Sequence, residues 1–403
     1  MDIRREEGVE SLAIPHNSNI SGGAAFSMSD YNGGPIDEAY LSKRLRNEPL
    51  VEITQAKGTS ETHPFLSKND EWAAFEAVTN HPGEKILTNL SGSYVRDAYL
   101  QGLTLQDQGK PNPFNFGVIG SSDTHVGGGS YTEETHFSKI GLLDGEPYLR
   151  GSVPFDGIYS LIARLWQPDS ILEIDEKNYL SFSPRLIRFG SSGLAGVWAE
   201  ENTRESIYNA FRRKETFGTS GPRIKVRFFA GYNFENSNLN DQDLIQEAYS
   251  KNIPMGGDII QEKGKNPRFL VWAISDPLGA PLQRVQIIKG WLADGEQREK
   301  VFDVACSDGQ SVNPLNHRCP DNGAKVNLDD CSISREKGNA EIKTFWQDPE
   351  FSNDQEAFYY ARVLENPTCR WSTWDAVRAE EKPRSDIPVT IQERAWSSPI
   401  WIK

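Results

Sequence analysis

The alternation of short apolar runs with helical patterns in the first half of the chain limits its fold more than any other feature. Strands separated by helices predict parallel βα units, whose ligands gather at the carboxyl ends of the strands. The sequence therefore predicts an α/β fold for residues 1–225. The strand-like runs lie at 11–14, 50–54, 116–120, 193–198 and 224–229, and the helical patterns at 37–47, 70–79, 94–106 and 203–214.

Residues 226–403 have a different pattern. β-Branched and aromatic runs are separated there by clusters of Gly, Pro, Asn and Asp, and no convincing helix lies between them. This spacing is typical of an all-β domain and most often of a sandwich. We therefore predict two domains, an α/β domain at 1–225 and a β-rich, sandwich-like domain at 226–403.

Composition excludes some classes of protein. The longest apolar run is Phe269–Ile274, far shorter than the roughly 18–20 residues of a membrane helix, so no membrane span is expected. The net charge of −14 repels phosphate backbones, and no basic stripe offsets it, so no nucleic-acid partner is expected. A small-molecule substrate is the expected partner. The sequence does not indicate an oligomeric state.

Three polar clusters each follow a strand candidate, which is where an α/β protein places its active site. The sharpest contains Asp123 and His125 at the end of the run 116–120. Because they are two positions apart, both side chains point to the same side of an extended chain, where they can bind one divalent metal ion. The alternative is an aspartate that forms a turn, next to a surface histidine in a glycine-rich loop.

The other two clusters leave more alternatives open. His16, next to Asn17, is either a hydrogen-bonded structural residue or a metal ligand that Asn17 orients. Lys57 and Glu61 form either an ordinary salt bridge or a site in which Lys57 binds an anion and Glu61 is a base or its partner. Arg204, near the start of a predicted helix, either binds an anion with help from the helix dipole or pairs with a neighbouring acid.

Four cysteines lie in the second half of the chain, outside the α/β region. No pair has the close spacing of a zinc site, so disulfide bonds are favoured over metal binding and over buried free thiols. The sequence does not choose among the three possible pairings. These disulfide candidates are Cys306, Cys319, Cys331 and Cys369.

The motifs together resemble a bacterial family of proteins of unknown function, domain-of-unknown-function family 3604, over nearly the whole chain. That family is similar in turn to the polymerase-and-histidinol-phosphatase (PHP) group of metallohydrolases. The motifs that carry the resemblance include Ile14-Pro-His-Asn-Ser-Asn19, Glu52-Ile-Thr-Gln-Ala-Lys57, Gly120-Ser-Ser-Asp-Thr-His125, Val197-Trp-Ala-Glu-Glu-Asn-Thr-Arg204 and Asn366-Pro-Thr-Cys-Arg-Trp371.

The resemblance implies an α/β barrel and hydrolysis of a phosphoester or related ester by a metal-activated water. It implies zinc, manganese or iron as the metal, with His16, Asp123 and His125 as ligands. Asn17, Lys57 and Arg204 become candidates for substrate binding, and Lys57 and Glu61 for catalysis. The early His-x-His ligands of the PHP group have no counterpart in this sequence.

We therefore expect an incomplete barrel that begins downstream of the family's usual start and lacks most of its metal ligands. The first residues of this sequence are not expected to form a signal peptide, and the longer form is expected to be periplasmic or secreted. Two alternatives remain: a truncated, non-catalytic product, or a secreted binding module for carbohydrate. The second requires exposed Trp residues on one β face, whereas Trp272 and Trp371 are expected in the core.

Overall fold

The computed structural model describes residues 1–30, 32–77, 89–155, 157–166, 170–180, 186–234, 237–353 and 355–403. The helices are α1 Asp2–Glu6, α2 Glu38–Asn47, α3 Val95–Asp107, α4 Ile158–Trp166, α5 Arg204–Arg212, α6 Leu244–Lys251 and α7 Trp371–Arg378. The first strands are β1 Leu50–Gln55, β2 Gly58–Thr59, β3 Gly117–Gly120, β4 Ile171–Ile174, β5 Lys177–Leu180, β6 Leu194–Val197, β7 Thr216–Thr219, β8 Lys225–Gly231, β9 Ile253–Pro254 and β10 Asp258–Ile259. The later strands are β11 Arg268–Ile274, β12 Leu282–Ala293, β13 Glu296–Cys306, β14 Glu341–Gln347, β15 Ala357–Glu365, β16 Thr368–Cys369, β17 Thr390–Ile391, β18 Arg394–Ser397 and β19 Ile400–Ile402.

A parallel β–α–β unit places the polar clusters together. Strands β1 and β3 are parallel neighbours, and the chain between them contains α3, which packs its buried face on the same core. Every residue of both strands is buried, as expected for a strand that is covered on both faces. The carboxyl ends of β1 and β3 therefore lie side by side, and the loops that follow them meet.

Two larger sheets form most of the remaining structure, beside two small two-stranded sheets, β4-β5 and β16-β17. One sheet has eight strands: six follow the order β10-β19-β15-β18-β7-β6, β12 pairs with β15, and β13 pairs with β12. The other sheet has four strands in the order β14-β11-β8-β9. Their apolar faces share one core, to which Phe228 and Val271 contribute from the four-stranded sheet and Ile287 and Val363 from the eight-stranded sheet. This is the layered packing of a β-sandwich.

The small sheet lies against the large one through close backbone contact. A Cβ atom added to Gly218 in β7 would lie 2.6 Å from the backbone nitrogen of Gly120, and one added to Gly120 would lie 2.5 Å from the carbonyl oxygen of Thr219. The hydroxyl of Ser398 also accepts a hydrogen bond from the backbone nitrogen of Val118, at 2.9 Å. Glycine is therefore required where β3 and β7 meet, directly before the polar loop at 121.

The prediction of a mixed α/β fold is confirmed, whereas the predicted barrel is not. None of the sheets formed by the described residues closes into a barrel, since the first and last strands of each sheet do not pair with each other. The eight-stranded sheet contains strands from both sides of residue 225. The division into domains at that residue stays a prediction.

Several local predictions are corrected. Residues 11–14 form no strand, residues 70–77 form turns instead of a helix, and the rest of the predicted helix at 70–79 falls outside the described residues. Helices α6 and α7 lie where the sequence predicts none. Helix α5 is capped by Thr203, whose hydroxyl accepts a hydrogen bond from the backbone nitrogen of Ser206 at 3.2 Å.

All four cysteines form disulfide bonds, Cys306–Cys319 and Cys331–Cys369. The prediction of disulfides is confirmed, and the structure supplies the pairing that the sequence left open. Such bonds fit an extracellular or periplasmic location. No helix among the described residues has the length and apolar character to cross a membrane.

Candidate functional site

Two lysines and an aspartate form the centre of a polar cluster at the carboxyl ends of β1 and β3. The ammonium nitrogen of Lys57, just after β1, lies 2.6 Å from Oδ2 of Asp123, just after β3. The ammonium nitrogen of Lys139 lies 3.2 Å from the same oxygen. Only 3% of the Lys139 side chain is exposed, against 19% for Lys57 and 17% for Asp123. We call Lys57, Asp123, His125 and Lys139 the Asp123 cluster.

His125 forms the exposed side of the Asp123 cluster. Its Nε2 lies 3.3 Å from the ammonium nitrogen of Lys139 and 3.8 Å from Oδ1 of Asp123. The side chain is 58% exposed, so a ligand in solvent can reach the imidazole. The structure therefore brings Asp123 and His125 together, as their spacing predicts, and adds two lysines around them.

Asn17 fixes the position of Lys57. Its side-chain oxygen accepts hydrogen bonds from the Lys57 ammonium, at 2.7 Å, and from the side-chain amide of Gln55. The side-chain oxygen of Gln55 accepts a hydrogen bond from the backbone nitrogen of Lys57 at 2.8 Å. The predicted substrate-binding residue Asn17 thus lies beside the cluster, where it orients a cation.

Glu52, within β1, connects the loops on either side of the cluster. Its carboxylate accepts hydrogen bonds from the Ser121 hydroxyl and from the backbone nitrogen of Asn17. Burial raises the pKa of Glu52, and these two hydrogen bonds oppose the change only in part. His16 is exposed nearby, and its charge interaction with Glu52 lowers the same pKa. Glu52 is therefore a positioning residue for both loops.

Lys139 and Ser121 are site residues that the sequence analysis missed. Lys139 reaches the cluster because the chain after β3 folds back on itself, with the backbone nitrogen of His125 donating to the carbonyl of Lys139 at 2.8 Å. Asp144 holds this turn, since its carboxylate accepts from the backbone nitrogens of Lys139 and Ile140 at 2.7 and 2.9 Å. The pattern of an aspartate five residues after Lys139 is the only local signal for this turn, and it is common in loops.

The electrostatics of the cluster favour the ionised aspartate. Burial acts to raise the pKa of Asp123, but hydrogen bonds and charge from Lys57 and Lys139 outweigh it and hold that pKa below its ordinary value. Burial lowers the pKa of Lys139, which its contact with Asp123 opposes and the charge of Lys57 reinforces. Two ammonium groups thus share one carboxylate, so the cluster attracts a further anion.

The predicted metal ligands do not form a closed set in this arrangement. Among the residues that the structure describes, no three His, Cys, Asp or Glu side chains lie close enough together to hold one metal ion. Oδ2 of Asp123 instead contacts two lysines. As they are placed, these side chains do not assemble a ligand set for a metal ion, so none of their roles is derived through one. The assignment of His16, Asp123 and His125 as ligands stays a prediction.

Two other candidates lie outside the cluster. Glu61 is buried and ion-paired with Arg96 and Arg362, at 2.6 and 3.0 Å, and the hydroxyl of Tyr360 donates to it at 2.7 Å. Burial acts to raise the pKa of Glu61, but the two arginines outweigh it and lower that pKa. Arg204 is exposed in the first turn of α5. The structure does not bring either residue to Lys57, so their predicted roles stay untested.

Comparison with known proteins gives one match over the full chain. Residues 1–403 match a family described as a protein of unknown function (DUF3604). No curated protein matches the chain.

Proposed function

We propose that this chain, which belongs to the DUF3604 family over residues 1–403, is a hydrolase of anionic esters. Phosphoesters are the proposed substrates. The observation that carries this proposal is the placement of two ammonium groups around Asp123 at the carboxyl ends of β1 and β3. Two cations with one carboxylate between them leave a positive charge that a phosphate oxygen can neutralise.

Each residue of the cluster has a proposed role. Lys57 and Lys139 bind the anionic group, and Asp123 holds both ammonium groups in place until the substrate arrives. The exposed imidazole of His125 transfers the proton between water and the leaving oxygen, because imidazole is the side chain that enzymes use most often for this step. Water adds to the phosphorus as the ester P–O bond breaks, and the leaving oxygen takes up a proton.

The resemblance to the PHP group adds a metal to this proposal. A divalent zinc, manganese or iron ion would lower the pKa of a bound water and so supply the nucleophile. Because the described residues do not assemble three ligands, the metal rests on the resemblance alone. A periplasmic or secreted location is part of the proposal, and the two disulfides support it.

The test is hydrolysis of chromogenic esters by the purified, disulfide-bonded chain. p-Nitrophenyl phosphate, bis-p-nitrophenyl phosphate and p-nitrophenyl acetate distinguish monoester, diester and carboxyl-ester activity. The variants Lys57→Met and Lys139→Met are expected to lose about 100-fold in kcat/KM for the phosphoesters, since one lost charge-stabilising donor typically costs that much. Parallel assays with added Mn²⁺ or Zn²⁺, and with a chelator, test the metal separately.

Lys251→Met is the matched control, because it removes the same charge from an exposed position on α6 where Lys251 pairs with Glu247. It should retain the activity of the unmodified protein. If no ester is hydrolysed with or without metal, or if the two cluster variants are as active as the control, the proposal is wrong. Activity that the chelator leaves unchanged would show that hydrolysis needs no metal, and the hydrolase proposal would stand without one.

A further inference from the structure

The outer face of the four-stranded sheet carries a groove. It has a volume of about 210 Å³ and is lined by Trp198, Lys225, Arg227, Ile245, Trp272 and Ile274. Lys225 and Arg227 alternate along β8 with residues buried in the sandwich, and Trp272 and Ile274 do the same along β11. The groove therefore lies on the solvent side of the sandwich.

Aromatic rings and cations alternate across this face. Trp272 is the direct cross-strand partner of both Arg227 and Lys343, and the Lys343 ammonium lies 4.6 Å from the centre of its ring. The Arg227 guanidinium lies 3.6 Å from the centre of the Trp198 ring. Such cation–π contacts attract each cation to the face of its ring. The sequence predicts Trp272 in the core, whereas the structure places it half-buried beside the groove.

Two cations of the groove have no direct carboxylate partner. Neither Lys225 nor Arg227 lies within ion-pair distance of a carboxylate among the described residues. Arg227 donates instead to the hydroxyl of Tyr249 at 2.8 Å, and Tyr249 in turn contacts Glu215. Lys343 is balanced by Glu341 at 3.7 Å. The whole chain has a net charge of −14, whereas this face presents two cations without a direct carboxylate partner.

We propose that this groove binds an acidic polysaccharide. The C–H groups on one side of a sugar ring carry small positive charges and pack on the negative face of an indole, which Trp272 offers. Carboxylate or sulfate groups on the same chain pair with Lys225 and Arg227. Ile245 and Ile274 supply apolar contact on either side. Nucleic acid is the other polymer that combines negative charge with flat rings, so a single-stranded oligonucleotide is included as a competitor in the test.

Binding can be measured with defined polymers by affinity electrophoresis and by calorimetry. Polygalacturonate and dextran sulfate are the acidic probes, and neutral dextran is the uncharged one. We expect retardation by the acidic probes only, weakening as NaCl is raised. Trp272→Ala and Lys225→Glu should each weaken binding about tenfold, the loss of one stacking or charge contact.

Matched controls separate the groove from general surface charge. Trp374→Ala removes a half-buried indole from α7, and Lys251→Glu reverses a charge on α6. Circular dichroism spectra confirm that each variant is folded. Retained binding by both controls supports the proposal. Binding to neither acidic probe, equal losses in variants and controls, or equally tight competition by a single-stranded oligonucleotide would each overturn it. The result does not depend on ester hydrolysis.

Discussion

At the scale of single residues, the Asp123 cluster depends on backbone conformations that few side chains adopt. Asn17 and Asp123 have φ values of 57° and 49°, in the left-handed region that Asn and Asp enter more readily than other residues with a Cβ atom. The same two side chains then bind Lys57. Asn and Asp therefore suit both the left-handed backbone and the contacts with Lys57. Because Asn also enters this conformation readily, Asp123→Asn tests the charge of Asp123 better than Asp123→Ala does.

A second residue-scale feature is the buried carboxyl of Glu76. Its Oε1 has no hydrogen-bond partner among the described residues, and it packs so close to Gly190 that a Cβ atom there would lie 2.0 Å away. Burial and the charge of Glu133 raise the pKa of Glu76 to about 8, although Arg370 and Arg394 oppose this. The carboxyl is thus protonated at neutral pH and costs stability when it ionises.

This shift gives the unfolding free energy a specific pH dependence. The unfolded chain releases the Glu76 proton near the ordinary pKa of 4.5, and the folded chain releases it near 8. Between these values only the folded form binds the proton, so stability falls as pH rises. Glu76→Gln should remove this loss and raise the free energy of unfolding at pH 8 by roughly 2–4 kcal/mol relative to the unmodified protein, as measured by urea denaturation.

The gain should nearly disappear at pH 4.5, where the folded chain holds the proton and about half of the unfolded chains hold it too. Glu201→Gln, at an exposed position, is the control and should change stability little at either pH. An equal effect of Glu76→Gln at pH 4.5 and pH 8 would contradict the burial of an ionisable carboxyl.

At the scale of elements, the contact between β3 and β7 connects the polar loops to the sandwich. Gly218→Ala should place a methyl group 2.6 Å from the backbone nitrogen of Gly120, and backbone atoms cannot move aside as a flexible side chain can. We expect a loss of about 1–3 kcal/mol in the free energy of unfolding. Because Ser121 and Asp123 follow Gly120 directly, the variant should also lower any activity of the Asp123 cluster.

The control for this prediction lies in the loop that follows β3. A Cβ atom added to Gly128 meets nothing within 4 Å, so Gly128→Ala should leave both the urea midpoint and the activity unchanged. If Gly218→Ala is as stable as Gly128→Ala, the two sheets do not meet as closely as the structure indicates.

Local sequence patterns predicted the elements better than their assembly. Strands β1 and β3 and helix α3 could be found because their apolar residues follow the periods of a strand and a helix. The pairing of strands from both sides of residue 225 in one sheet depends on contacts between distant residues, which no local period encodes. For the same reason Asp123 and His125 could be paired from their spacing, whereas Lys139 could not.

At the scale of the whole molecule, buried ion pairs connect parts of the chain that are far apart in sequence. Arg362 in β15 contacts Glu61 and Asp70 at 3.0 and 2.8 Å, and Arg96 in α3 contacts the same two carboxylates at 2.6 and 2.8 Å. Two positive and two negative side chains thus neutralise each other in the interior, away from water. Removing one partner would leave an uncompensated buried charge, so this network fixes how α3 sits on the large sheet.

The disulfides have a comparable role in the stretch 307–340, which contains no helix or strand between β13 and β14. Each bond has one end in this stretch, and they close loops with sequence separations of 13 and 38 residues. Chain entropy then predicts a stabilisation of about 3 kcal/mol for Cys306–Cys319 and about 4 kcal/mol for Cys331–Cys369. A polar stretch with little apolar surface to bury depends on such constraints for its order.

Reduction should therefore loosen 307–340 before the rest of the molecule unfolds, since the sandwich core has its own apolar packing. Limited proteolysis with mass spectrometry should show new cleavage in 307–340 after reduction, and the urea midpoint should fall more for Cys331→Ser/Cys369→Ser than for Cys306→Ser/Cys319→Ser. The unreduced, denatured protein should contain no free thiols, and four titratable thiols would contradict the pairing. Cleavage that begins in the sandwich strands instead would show that the core, not this stretch, depends on the disulfides.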